Sequence, residues 1–108
     1  MSQRHLLFEG ACARVVDENQ KPPADESNIL RSLPSAGADK IASVPVGGLV
    51  QVLDGPRLDK PPKKETAWWA VRVLDGEHTD RLGWMAEIEP GAPFYNLREV
   101  ACPPDLVR

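Results

Sequence analysis

All three tryptophans of this 108-residue chain fall in one short stretch, Trp68-Trp69-Ala70-Val71-Arg72-Val73 followed a little later by Gly83-Trp84. The first run alternates with a period of two, and Asp75-Gly76-Glu77-His78-Thr79-Asp80 after it is turn chemistry, so the stretch predicts a β-hairpin. Indoles are large apolar groups with a polar handle, suited both to filling a core and to stacking on a ligand. A chain this short has room for one modest core, so that core, or a binding surface, or both, must be organised around this hairpin.

The rest of the sequence extends the β reading. Eleven prolines and eight glycines in short clusters favour short strands joined by turns over helices. Strands are expected near Ala11–Val16, Asn28–Arg31, Ile41–Val44, Leu49–Leu53, Trp68–Leu74, Arg81–Glu87 and Asn96–Val100. The fourth should stop at Asp54-Gly55-Pro56, where proline has no donor for a ladder. Two long polar segments, Asp17–Asn28 and Arg57–Thr66, read as loops, the second carrying Lys60-Pro61-Pro62-Lys63-Lys64-Glu65 as a solvated connection. The domain is expected over residues 11–102, with tails at 1–10 and 103–108.

Several function classes are disfavoured. A net charge of −3 would repel a phosphate backbone unless the basic residues gathered on one face, so nucleic acid is not the expected partner. No run approaches the ~18 apolar residues that cross a bilayer. Leu6-Leu7-Phe8 is too short for the core of a signal peptide, so the chain as given reads as soluble, with the cytoplasm favoured over export. His5 and His78 fall in an expected tail and an expected turn, Cys-x-x-Cys is absent, and no nucleophile–base pair or carboxylate pair stands on expected strand ends. Neither an enzyme nor a metal or other cofactor site is expected.

Cys12 and Cys102 lie near opposite ends of the chain. If the first and last strands pair, the sulfurs come within bonding range, and a disulfide closing so long a loop would stabilise the fold by about 4–5 kcal/mol. The alternative is two free thiols in half-buried strands, the favoured reading where no leader is seen.

Taken in order, Asn28-Ile29-Leu30-Arg31-Ser32-Leu33-Pro34-Ser35, Ile41-Ala42-Ser43-Val44-Pro45-Val46-Gly47, Leu49-Val50-Gln51-Val52-Leu53, Trp68-Trp69-Ala70-Val71-Arg72 and Gly83-Trp84-Met85 resemble the bacterial SH3-like (SH3b) domain. The resemblance spans about Ala11 to Val100. It departs from the family at Leu33, where a glycine is usual, and in the length of the segments Asp17–Ser27 and Gly55–Ala67. It implies a small, partly open SH3-like barrel of five to seven short strands with long loops. It also implies a docking role, since family members commonly serve as targeting modules beside catalytic or signalling domains, including cell-wall hydrolases.

Strand alternation supplies the faces independently. Trp69, Val71 and Val73 share one side and Trp68, Ala70 and Arg72 the other. The uniformly apolar set is placed inward with Val50, Val52, Leu30, Ile41, Val44 and Met85. Trp68 then points outward on the side of Arg72, either as an exposed stacking and cation–π platform or covered by a long loop. The expected function is a non-catalytic module that docks a peptide, a protein partner or a peptidoglycan stem around Trp68 and Arg72, with Phe94, Tyr95 and the acidic first loop as walls. The alternative is a structural or adaptor subunit of a larger assembly. A groove with a few aromatics suits the first, and a broad apolar face suits the second.

Overall fold

Seven short strands, β1 (Cys12–Val15), β2 (Asn28–Arg31), β3 (Lys40–Val44), β4 (Leu49–Leu58), β5 (Ala67–Val73), β6 (Leu82–Ala86) and β7 (Leu97–Val100), form one antiparallel sheet in the order β3-β2-β6-β5-β4-β1-β7. The sheet curls into a half-barrel with β3 and β7 at its edges. The structure, a computed structural model, describes residues 6–18, 28–35, 37–58, 66–88 and 94–104. His5, most of the acidic first loop and the Lys60–Glu65 stretch lie outside the described residues. No helix among the described residues is long and apolar enough to cross a membrane.

The tryptophan hairpin occupies the middle of this sheet. β5 is hydrogen-bonded to β6 on one side and β4 on the other, with Trp69 opposite Met85 and Val71 opposite both Val52 and Gly83. Residues directly opposite in an antiparallel pair share a face, so the inner face reads Trp69, Val71, Val73, Val50, Val52, Met85 and Ala13. With Leu30, Val44 and Leu97 these form one buried cluster, against which Ile41 packs part-buried. The inward set expected from alternation is therefore the core. The turn between β5 and β6 places Gly76 and Asp80 at positive φ, and the Asp80 amide closes it on the Val73 carbonyl at 2.7 Å.

β2 reaches the hairpin because Gly83 lacks a side chain. A Cβ there would lie 2.6 Å from Leu30 Cγ and 2.9 Å from the Arg31 carbonyl. The empty position lets Leu30 seat against β6 and lets Arg31 pair with Trp84.

Two expectations are corrected. β4 does not stop at Asp54-Gly55-Pro56 but continues to Leu58. Its register slips twice against β5, between Val52 and Asp54 and between Asp54 and Arg57. Each slip inserts an extra residue as a bulge, so Pro56 sits where no ladder bond is required of it and the strand survives the proline. Gly55, at φ 127°, lies where a Cβ would come within 3.0 Å of the Trp69 ring. Nor are residues 6–10 a free tail. Leu7 is buried in the core, and the Gly10 amide donates to the Val52 carbonyl at 2.9 Å, extending the β1–β4 pairing.

β1 pairs with both β4 and β7, which brings the chain ends together. Cys12, opposite Val100, is joined to Cys102 by a disulfide spanning 90 positions. Reduction is expected to lower the unfolding free energy by about 4–5 kcal/mol on the loop-entropy account. Denaturant titrations with and without reductant measure this, and two alkylatable thiols in denatured, unreduced protein would contradict it.

Candidate functional site

The outer face of the sheet is set by the same register. Lys40, Arg31, Trp84, Ala70 and Asp54 form one row across β3, β2, β6, β5 and β4. A second row runs Val100, Cys12, Gln51, Arg72 and Leu82. Between the rows, Val71 turns its side chain to the core opposite Gly83, which has none, and the pair leaves only backbone outward.

That backbone strip is the floor of a shallow open groove of about 390 Å³ lined by Ser32, Ile41, Leu53, Ala70, Val71, Leu82, Gly83 and Trp84. It exists because the floor is small and the walls are large. Ala70 and the Val71–Gly83 backbone form the base, with Trp84 on one side and Leu82, 58% exposed, on the other. The ends are closed by Leu53 and Ile41, the residues skipped where β4 slips against β5 and where β3 slips against β2. Bulges re-aim side chains, and here two of them contribute apolar groups to one cleft. The Arg57 guanidinium stands 5.7 Å from the centroid of the Trp84 ring and 3.4 Å from the Asp54 carboxylate.

The expected site residues do not assemble as a platform. Trp68 lies on the outer face but is only 3% exposed, so it is not a free stacking surface. Alternation fixes which side of a strand a residue takes, whereas burial depends on what lies over that side. Around Trp68 the neighbours Thr66, Ala67, Ala86 and Glu87 are buried too, so this end of β5 is enclosed on both faces. Arg72 is half-buried between Gln51 and Leu82, and its Nε is buried with no hydrogen-bond partner among the described residues. It stands four residues from Trp68, roughly 13 Å along an extended strand, too far for the two to act as one stacked unit. Among the described residues, the Arg57 guanidinium stands over Trp84.

Phe94 and Tyr95 do not line the groove. Phe94 is half-buried, and Tyr95 is buried in a bridge to Ile88 with the Arg98 guanidinium 3.8 Å from its ring centroid. Arg98 also binds Glu18, which in turn accepts the Tyr95 amide at 3.0 Å. The Arg98 hydrogen bond, assisted by the Tyr95 amide and the arginine charge and opposed by desolvation, holds the Glu18 carboxyl below the ordinary glutamate value. The same contact raises Arg98. This cluster ties the residues after β1 to β7.

Sequence reasoning missed Glu87. Its side chain is 1% exposed, and its carboxyl oxygens accept the Trp69 indole N–H at 2.8 Å and the amides of Leu6 at 2.7 Å and Leu7 at 3.3 Å. Two signals pointed to it. A buried indole needs an acceptor, and Glu87 stands two places beyond the inward Met85, opposite the indole-bearing strand. Among the described residues no cluster of three or more His, Cys, Asp or Glu could hold a metal ion.

The chain matches no protein family, no curated protein and no solved structure.

The enclosure of Trp68 makes it a packing residue. Trp68→Ala should destabilise the domain by about 3–5 kcal/mol, as truncation of a buried aromatic does. Denaturant unfolding reads this directly, and a loss below about 1 kcal/mol would return Trp68 to the surface.

Proposed function

We propose that the protein is a non-catalytic docking module of SH3-like build, and that its recognition surface is the groove beside Trp84. The observation that carries this reading is the groove itself. It sets exposed apolar walls around an open backbone floor in the centre of the sheet, with a guanidinium poised over an indole. Isolated apolar residues on a surface are ordinary, but convergent ones around a cleft mark a binding site. The other exposed large apolar residues, Leu6, Phe8, Leu33, Val46 and Leu58, are scattered over the N-terminal segment, the β2–β3 and β3–β4 connections and the end of β4. A cleft walled by apolar groups, with the other exposed apolar residues scattered, favours docking of a peptide or protein segment over burial in an obligate assembly.

The order of the SH3b-like motifs supports the same reading, with the binding surface moved from Trp68 to Trp84. Disulfides persist chiefly in oxidising compartments, so the Cys12–Cys102 bridge favours an exported setting, in which cell-wall material is a sensible partner to test.

Leu82→Asp and Trp84→Ala are the informative changes, because Leu82 is exposed and Trp84 half-buried outside the core cluster. Immobilised domain is challenged with cell lysate and with purified cell-wall material, and the captured partner is titrated against both variants. Each should weaken binding by about 2 kcal/mol or more while leaving unfolding nearly unchanged. Unchanged affinity in two folded variants would remove the groove as the recognition surface.

A further inference from the structure

The chemistry around the groove specifies its occupant more closely. We infer that the groove takes an extended acidic peptide segment carrying an apolar anchor side chain, an assignment that rests on the docking reading above.

The chain is acidic overall, with a net charge of −3, yet the strand positions framing the groove are basic. Arg31 and Lys40 continue the Trp84 row, Arg57 lies over the indole and Arg72 flanks Leu82. Against these cations the two rows hold one carboxylate, Asp54. Its pair with Arg57 is long at 3.4 Å and both side chains are 55% exposed, so the contact is weak and an incoming carboxylate can replace it. Arg72 adds a second guanidinium group on this face, half-buried opposite Leu82. A ligand that brings carboxylates meets an excess of opposite charge here, whereas a basic ligand would meet mostly like charge.

The shape selects an extended segment. The groove crosses from Leu53 on β4 to Ile41 on β3, which in strand order is four spacings of about 4.8 Å, roughly 19 Å in all. That is the length of about five or six extended residues. The apolar walls at Trp84, Leu82, Leu53 and Ile41 receive a side chain, and the cations stand beyond those walls. Acidic residues on either side of an apolar anchor match this arrangement. A nucleic acid would meet an apolar cleft where its phosphates need continuous cations.

A displayed library of random nonapeptides, selected on the intact oxidised protein and counter-selected on Leu82→Asp, tests the assignment. Enriched peptides should carry a large apolar residue flanked by Asp or Glu. A representative peptide should bind about tenfold more weakly to the Arg57→Gln, Arg72→Gln double variant, the loss expected for two charge contacts at a solvent-facing groove. Its version with Gln in place of each acid should be nearly insensitive to the same change. Circular dichroism confirms that the variants fold. Enrichment of neutral or basic peptides that depends on Leu82 overturns the acidic specificity and leaves the docking groove standing. Absence of any Leu82-dependent enrichment overturns both, and displacement of the peptide by oligothymidylate at lower concentration than by unlabelled peptide overturns the assignment in favour of nucleic acid.

Discussion

The carboxyl group of Glu87 is the point on which the architecture turns. It is enclosed beneath the sheet, and its oxygens accept the Trp69 indole and two amides of the N-terminal segment. Its backbone is fully engaged too: the amide donates to the Ala67 carbonyl, and the carbonyl accepts from Asn96 and Leu97. One residue therefore joins the start of the chain, the central hairpin and the entry to β7. A buried acceptor without donors would be costly, as would a buried indole without an acceptor. The two needs are met together, and this fixes how the largest core side chain sits.

From that anchor the groove follows by a short chain of causes. Trp69, Val71 and Val73 are drawn inward, so alternation sends Ala70 and Arg72 outward and leaves backbone between them. Gly83 lets Leu30 close the core from β2, which carries Ser32 and Ile41 to the groove's far end. The slip after Val52 turns Leu53 out at the near end. The groove is thus a by-product of how the core was closed, with arginines around it.

How much of this could be read in the sequence depended on whether a feature was local. The strands, the hairpin turn and the inward set at Trp69, Val71 and Val73 followed from period-two alternation and from glycine, proline and aspartate at the turns. The continuation of β4 past Pro56 did not, because a bulge is invisible to a pattern that assumes even register. Trp68 was assigned to the right side of its strand but its exposure was left open, since enclosure is set by segments distant in sequence. Arg72 was rightly placed on the outer face, but the arginine–tryptophan contact forms elsewhere, between Arg57 and Trp84 across the sheet. Glu87 was legible in principle: its parity with Met85 and the need of the Trp69 indole for an acceptor together name it. It was overlooked because a glutamate at a strand end ordinarily reads as solvated.

The most direct test of this account is the unfolding free energy of Glu87→Met, which keeps the buried volume and removes the acceptors. The indole and two amides would lose their partner, and a fall of about 3 kcal/mol or more is expected. A change within about 0.5 kcal/mol, the range of an ordinary surface substitution, would contradict it and show that the barrel is held by its apolar core without this anchor.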